Sequence, residues 1–207
     1  MERREMLRKT LLKRARRQIE EKFAQKEVHI IKAVNLLEDM DSSYNLLNEA
    51  LSDWKSKNPS EKSLVQVSEL QKNLDAIKEE RKNLQNFIDG AMAEELPNFS
   101  SIAGSVVGAK MLSEAGSKRK LAFMPSSTMQ LLGAKKALFN HLKKKGKCPK
   151  HGFLFNHSLL QKLPREKRGK AARIIAGKLS IAAKKDYFGG AFSPDLMKDV
   201  EIKIKNI

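Results

Sequence analysis

Two heptad series of apolar residues fill the first half of the chain and constrain its fold more than any other feature. The first series runs from Ile19 to Trp54 and the second from Val67 to Ile88, and in both the spacing alternates between 4 and 3 residues. A period of about 3.5 residues is typical of helices that pack along a narrow apolar seam. The pattern therefore predicts two long helices that pack through these positions.

The segment between the two series is polar and contains a helix breaker. It reads KSKNPSEKS (55–63), and Asn58–Pro59 prevents one continuous helix because proline restricts the residue before it. The sequence predicts an antiparallel coiled-coil hairpin with its tip near Asn58–Pro59. Each series has one charged interruption, at Lys26 and at Arg81. Two unrelated surface helices are the alternative.

Charge is the second strong feature, and it is unevenly distributed. The chain has 41 Lys+Arg against 24 Asp+Glu, and residues 110–185 alone hold 20 basic and 2 acidic residues. Such a block repels itself unless a polyanion neutralises it, which favours a nucleic-acid surface over a merely solvated face. A membrane surface is the weaker alternative, because the run KKKGKCPK (143–150) has no large apolar side chains opposite its charge. No apolar run approaches the roughly 20 residues of a membrane span.

The second half is predicted to be helical as well, which makes the chain all-α. Helices are expected over 100–112, 129–142 and 165–186, the last one after Pro164. Residues 153–155 (FLF) suit a short strand or a buried turn. The tail 191–207 ends in the alternating segment EIKIKNI and is expected to lack fixed structure.

Catalytic motifs are absent from the sequence, which contains no phosphate loop, nucleophile elbow or zinc-protease motif. The basic block offers only Glu114 and Glu166, so general acid–base catalysis by paired carboxylates is not expected there. One cluster has ligand-like spacing and leaves a zinc site open as an alternative: His141, Cys148, His151 and His157. The single cysteine excludes an internal disulfide framework. We therefore predict a protein without enzymatic activity, catalytic residues, metal or cofactor.

Two basic clusters are the best candidates for RNA contacts. Lys143–Lys145 and Lys147 surround Gly146 and suit phosphate groups. Arg165, Arg168, Lys170 and Arg173 lie at the start of the last helix. His151, which lies near Phe153 and Phe155 in sequence, suits stacking on an unpaired base.

Four segments resemble a known RNA-binding module. They are LPNFSSIAGSVVGAKMLSEAGS (96–117), PSSTMQLLGAKKALF (125–139), PKHGFLFNHSLL (149–160) and REKRGKAARIIAGKLSIAAKKDYF (165–188). In this order they resemble the Nop domain of archaeal box C/D ribonucleoproteins and of its nucleolar and pre-mRNA splicing relatives. The segment NLLEDMDSSYNLLNEALSDW (35–54) is similar to the first coiled-coil arm of the same proteins.

This resemblance implies recognition of a kink-turn RNA together with the small ribosomal-protein-like factor bound to it. Gln130, Gly133 and Ala134 would face that protein. Lys135 stands where the family has Glu, which shifts this contact toward RNA. The implied RNA-binding residues, with those of the basic clusters, are Lys135, Lys136, Lys143, Lys144, Lys145, Lys147, Lys150, His151, Arg165, Arg168, Lys170 and Arg173.

The resemblance also implies self-association through the coiled coil. The residues expected at that interface are Leu37, Met40, Tyr44, Leu47, Leu51, Leu70, Leu74, Ile77 and Leu84. The expected domains are a basic linker helix (1–36), the coiled-coil hairpin (37–95), a compact helical Nop domain (96–190) and a tail (191–207). Family members carry an N-terminal domain that docks the methyltransferase fibrillarin, and we expect it to be missing here.

The expected function is that of an RNA-binding ribonucleoprotein scaffold, located in the cytoplasm of an archaeon or in the nucleolus or nucleus of a eukaryote. Three alternatives stay open. They are a splicing-factor-like assembly protein, a general RNA chaperone and a metal-dependent RNA-processing enzyme.

Overall fold

The computed structural model describes residues 2–23, 25–57 and 60–207, and in these ranges it contains helices but no strand. The predicted all-α class is therefore confirmed. The α-helices are α1 (Glu2–Phe23), α2 (Lys26–Ser56), α3 (Glu61–Glu95), α4 (Pro97–Ala103), α5 (Ser105–Ala115), α6 (Lys118–Ala122), α7 (Ser126–Leu131), α8 (Lys135–Leu142), α9 (Ser158–Gln161), α10 (Arg168–Tyr187) and α11 (Asp195–Lys205).

Helices α2 and α3 form the predicted antiparallel hairpin. The start of α2 meets the end of α3, where Lys26 Nζ lies 2.6 Å from Glu94 Oε1. Further along, Arg81 of α3 pairs with Asp41 of α2. The two charged interruptions of the heptad series are thus each paired with an acid on the opposite helix, which explains how the seam tolerates them. The side chains of Ile19 and Phe23 and the predicted tip at Asn58–Pro59 lie outside the described residues.

The heptad positions divide between two apolar clusters. Toward the tip, Leu51, Val67 and Leu74 form a small cluster against Tyr44. Toward the base, Leu37 and Ile88 belong to the main core that they share with the second half of the chain. The hairpin is therefore anchored in the helical body through its base.

Helix α10 is the centre of the helical body. One of its faces is buried and consists mostly of alanine with a few larger apolar residues: Ala171, Ala172, Ile175, Ala176, Leu179, Ala182 and Ala183. Small side chains allow neighbouring helices to approach closely, and α10 packs against α4, α6, α7 and α11.

Two predicted helices are interrupted by glycine. Gly104, with φ of 78°, divides the segment 100–112 between α4 and α5, and Gly133, with φ of 84°, divides 129–142 between α7 and α8. A positive φ ends a right-handed helix, and glycine adopts it without steric cost. The last long helix begins at Arg168 and not at Arg165, because residues 164–167 form a turn. Phe153–Asn156 is a 3-10 turn, so the strand alternative is wrong.

The prediction of an unstructured tail is also wrong. Residues 195–205 form α11, which buries Val200 and Ile204 against the core. Lys178 of α10 holds this helix through a 2.6 Å contact from Nζ to Asp199 Oδ2. The alternation in EIKIKNI concealed the helical spacing of four residues between Val200 and Ile204. Among the described helices, none is both long and apolar enough to span a membrane.

Candidate nucleic-acid interface

Two of the segments that were predicted to bind partners are joined by hydrogen bonds. The amide of Gly152 donates to Gln130 O at 3.0 Å, and the amide of Phe153 donates to Leu132 O at 2.7 Å. The Gln130 side chain completes the link, because its Nε2 donates to Lys150 O at 2.7 Å. The segment 149–152 therefore lies alongside the turn that leads into Gly133 and Ala134.

Two glycines permit this close approach. A Cβ atom on Gly133 would come within 2.8 Å of the Phe153 ring, so the Gly133 backbone lies directly on that ring. A Cβ atom on Gly152 would overlap the carbonyl oxygen of Leu132 and come within 2.9 Å of Leu131 O. Any larger residue at either position would push the two segments apart.

A stack of three side chains connects this pair of segments to α10. The rings of His151 and Phe155 are 5.0 Å apart and nearly parallel, at 21°. On α10, the Arg168 guanidinium carbon lies 5.5 Å from the Phe155 ring centre. The stack borders a shallow groove of about 350 Å³, which is lined by Gly133, Ala134, His151, Gly152, Phe153, Phe155 and Asn156.

Arg168 also fixes the connection that precedes its own helix. Its Nε donates to Leu163 O at 2.9 Å and one terminal nitrogen reaches Gln161 O at 3.4 Å. Two of its nitrogens are therefore occupied by the backbone, which leaves the second terminal nitrogen for a ligand. Next to it, the stem of Lys150 lies against Gly169, where an added Cβ would be 3.4 Å from Lys150 Cδ.

The environment of His151 favours the neutral form of its imidazole ring. Partial burial lowers the pKa of His151, and the nearby positive charges of Arg168 and Lys150 lower it further, against a backbone hydrogen bond that raises it. With a pKa below the ordinary value of about 6.5, the imidazole is uncharged at neutral pH. Its interaction with a nucleic acid would then be stacking or hydrogen bonding and not a charge contact.

The other predicted RNA-binding residues of α10 and its preceding turn point in different directions. Arg165 lies in the turn before α10, and Lys170 and Arg173 are exposed on α10 three residues apart. At about 100° per residue, Lys170 and Arg173 lie some 150° around the helix from Arg168. The structure therefore separates Arg168, which faces the stack, from the exposed pair.

The lysine-rich loop after α8 is a separate, exposed feature. Lys143, Lys144, Lys145 and Lys147 are all exposed, and Lys143 Nζ lies 4.2 Å from the Phe139 ring centre. His141 Nδ1 contacts Gly146 O at 3.0 Å, which closes the loop locally. At the start of α8, Lys136 is exposed, whereas Lys135 pairs with Glu114 at 2.5 Å. In the described residues, no hydrogen bond or ion pair links this loop to the His151–Phe155–Arg168 stack.

The histidines and the cysteine do not assemble into a metal site. His157 is buried, its Nδ1 accepts from the Leu159 amide at 3.2 Å, and its Nε2 therefore donates to Ile102 O at 2.6 Å. Both ring nitrogens are thus used by the protein, and burial lowers the pKa of His157. The ranges that the structure describes contain no group of three or more His, Cys, Asp or Glu residues that could hold a metal ion.

The predicted self-association residues occupy three environments. Leu37, Leu51 and Leu74 are buried within the chain itself, and Met40, Tyr44, Ile77 and Leu84 are partly buried. Leu47 and Leu70 remain 46% and 41% exposed. Together with Trp54, these two leucines border an apolar cavity of about 140 Å³ on the hairpin surface.

Sequence reasoning did not include Phe155 among the site residues, although it is the centre of the stack. Only its position within a segment that also contains His151 pointed to it. Its contact with Arg168 spans 13 residues and depends on how the chain folds back, which no local pattern reveals.

Comparison with known proteins agrees with the features above. The Nop family, described as "snoRNA binding domain, fibrillarin", matches residues 11–206. An uncharacterized NOP5 family protein of Methanocaldococcus jannaschii is 45% identical over 129 residues, which cover 62% of this chain and 31% of that relative. Nucleolar protein 56 of Dictyostelium discoideum is 38% identical over 146 residues, which cover 69% of this chain and 27% of that relative.

A solved structure agrees over nearly the whole fold. The crystal structure of a fibrillarin/Nop5p complex aligns with a TM-score of 0.72 at 32% identity, covering 97% of this chain and 77% of that chain. The matched segments span about a quarter to a third of the length of the two curated relatives above. From the family match over residues 11–206 and the shared helical architecture, the chain belongs to the Nop family.

Proposed function

We propose that this chain is an RNA-binding scaffold of box C/D-type ribonucleoproteins and that it has no catalytic role of its own. The observation that carries this proposal is the joining of three separate segments, 130–134, 149–155 and 168–169, into one surface around the His151–Phe155–Arg168 stack, with Lys150 and Arg168 as its cations. A rigid surface that combines aromatic faces with cations suits RNA, because bases stack on the rings while cations contact phosphates.

The proposed ligand is a kink-turn RNA with its small ribosomal-protein-like binder. In this proposal the half-exposed turn at Gln130, Gly133 and Ala134 faces the protein and the segment at Lys150 and His151 faces the RNA. Placing both contacts side by side would let the chain recognise the assembled RNA–protein pair better than either component alone.

Roles within the surface follow from what each side chain already contacts. Arg165, Lys170 and Arg173 are exposed and would contact phosphates, as would Lys136 and the loop lysines 143–147. Arg168 is a positioning residue, because it holds Phe155 and the 161–163 connection in place. Lys135 would reach RNA only by leaving Glu114.

We also propose that two copies associate through the hairpin, which would hold two RNA sites apart. The exposed apolar patch at Leu47, Trp54 and Leu70 supports this, because contiguous apolar surface is typical of interaction sites. We propose a ribonucleoprotein context that includes fibrillarin, which is named in the similar complex, in an archaeal cytoplasm or a eukaryotic nucleolus.

Electrophoretic mobility of a labelled kink-turn RNA, with and without its small protein partner, tests the proposal. We expect tighter binding in the presence of the partner. Replacing Arg173 by Ala should weaken binding several-fold and reduce the slope of log K against log salt by about one. The matched control is Lys78→Ala, an exposed lysine of α3 that should leave both values unchanged. The proposal would be refuted if the affinity for the kink-turn RNA changed neither with salt concentration nor on addition of the small protein.

A further inference from the structure

A second exposed aromatic cluster lies at the far end of α10, away from the stack. The rings of Phe123, Tyr187 and Phe188 contact one another edge to face, with centres 5.1 to 6.0 Å apart. Phe123 is 60% exposed and Phe188 is 70% exposed. Large apolar side chains that cluster yet remain in water are typical of a binding surface.

The two phenylalanines arise from the same short pattern on two different helices. Arg119 and Lys120 precede Phe123 by four and three residues, and Lys184 and Lys185 precede Phe188 by the same spacing. Each phenylalanine is the C-cap residue that directly follows its helix, α6 or α10. Residues three or four apart share a helix face, so the spacing places each phenylalanine on the same side as its own pair of cations.

A role in helix stability explains only part of this arrangement. Cations in the last turn of a helix are favourable because they oppose the partial negative charge of the helix end. The cap itself is a backbone hydrogen bond, from Phe123 N to Arg119 O at 3.2 Å and from Phe188 N to Lys184 O at 3.0 Å. Any residue except proline could make that bond, so capping does not explain why both positions carry an exposed aromatic ring.

The charge around the cluster favours a polyanion. A groove of about 1150 Å³ begins beside Phe123 and Tyr187. The two carboxylates that line this groove, Glu27 and Glu95, are both bound by Lys118. The Lys118 amide donates to Glu27 at 2.8 Å, and Lys118 Nζ lies 3.1 Å from a Glu95 carboxylate oxygen. In the ranges described, no ion pair neutralises the four cations that accompany the two phenylalanines.

We propose that this cluster, defined by Phe123, Tyr187 and Phe188 with their four cations, is a second RNA site that binds single-stranded RNA. Exposed rings beside cations are the combination that binds unpaired strands, since bases stack on the rings and phosphates meet the cations. One face of α10 leads from exposed Arg173 past the partly buried Gly177 to exposed Ile181 and Lys184. A strand that passes Arg173 along this face would therefore reach the aromatic cluster after roughly 20 Å.

Fluorescence anisotropy with a labelled 12-nucleotide oligouridylate tests this proposal, because that probe has no kink-turn. The double variant Phe123→Ala/Phe188→Ala should bind it at least about fivefold more weakly. The matched control is Phe87→Ala on α3, a phenylalanine that is 51% exposed and outside the cluster. The variant Phe123→Tyr/Phe188→Tyr keeps the rings and should bind like the unmodified chain.

The charge contribution is measured separately. Arg119→Ala/Lys184→Ala should reduce the salt slope of oligouridylate binding by about 1.4, since two phosphate contacts to a single strand would be lost. Circular dichroism melting confirms that each variant is folded. Equal affinity of the double alanine variant and the unmodified chain overturns the proposal. Ring-dependent binding of an acidic aromatic peptide without oligouridylate binding also overturns it, since the cluster would then dock protein.

The two RNA sites can fail independently. The variant Phe123→Ala/Phe188→Ala should bind a kink-turn RNA without single-stranded tails as tightly as the unmodified chain does. The variant Arg173→Ala should bind that RNA more weakly, while its affinity for oligouridylate should change by less than about twofold. If the chain does not bind the kink-turn RNA but its binding of oligouridylate depends on the two phenylalanine rings, the proposed kink-turn function fails and this inference stands. If only Arg173→Ala affects oligouridylate, the strand binds at the first surface and this inference fails.

Discussion

Replacing Gly152 by Ala should disrupt the junction on which the proposed RNA-binding surface depends. The added Cβ atom would overlap Leu132 O and lie 2.9 Å from Leu131 O, whereas an ordinary contact needs about 3.4 Å. Both obstacles are backbone atoms, so no side-chain rotation relieves them. The segment 149–153 therefore has to move away from 130–132 by more than about 1 Å, which takes the hydrogen bonds beyond their useful length.

The magnitude follows from the contacts that are lost. Three hydrogen bonds join the segments: two between backbone atoms, at 3.0 and 2.7 Å, and one from the Gln130 side chain, at 2.7 Å. At about 1 kcal/mol each, their loss lowers the free energy of unfolding by about 3 kcal/mol. The displacement also moves His151 off Phe155, so kink-turn RNA affinity should fall more than tenfold even where the protein remains folded.

Urea unfolding followed by circular dichroism measures the first effect, and mobility shift of the kink-turn RNA measures the second. The matched control is Gly146→Ala in the lysine loop, where an added Cβ has no atom within 4 Å. That variant should change the unfolding free energy by less than about 0.5 kcal/mol. The reasoning is refuted if Gly152→Ala is as stable as Gly146→Ala and binds RNA equally well.

Three further predictions concern stability and assembly. Gly177→Ala in α10 should raise the unfolding free energy by about 0.5 to 1 kcal/mol in a urea titration, because the site has room for the methyl group. Leu74→Asp, at a position only 3% exposed, should unfold the hairpin, whereas Leu70→Asp should keep helicity by circular dichroism and yield monomers in light scattering. Burial lowers the pKa of His157, so the unfolding free energy that this residue contributes above pH 6.5 should be lost on acidification, by up to about 1.4 kcal/mol per pH unit. Urea titrations at several pH values should show a flatter pH dependence for His157→Gln.

The hairpin was predictable because a heptad period encodes packing within a short range of sequence. The 4–3 spacing identified the seam, and Pro59 identified the break between the arms. The pattern did not say which positions face the body and which remain open. Leu37 is in the main core and Leu70 is 41% exposed, although both belong to the apolar 4–3 series. That difference depends on what packs against the base of the hairpin.

The helical body was less predictable where single residues decide the backbone. Gly104 and Gly133 lie inside segments of good helical pattern, and only their positive φ values show that they end helices. Likewise, the sequence pattern predicts an unstructured tail where α11 forms, because α11 is buried by contacts with α10 and with α4, which lies far earlier in the chain. The resemblance to the Nop domain identified the segments that meet at the site, whereas Phe155 emerged only from the folded arrangement.

Helix α10 connects the His151–Phe155–Arg168 stack to the second aromatic cluster. Its first residue, Arg168, holds the stack, and its final turn carries the second aromatic cluster about 30 Å away along the 20-residue helix. Near that end, buried Asp186 accepts hydrogen bonds from the amides of Asn98 and Phe99 at 3.1 and 2.8 Å, which anchors α10 to the start of α4. Because α10 packs one face against the core along its length and is held at both ends, the distance between the two surfaces is set by the fold. In the proposed complex, an RNA held at the stack would meet the aromatic cluster with its flanking strand at a fixed spacing. Changes in the length of that strand, and not in its sequence, should therefore decide whether both surfaces are occupied together.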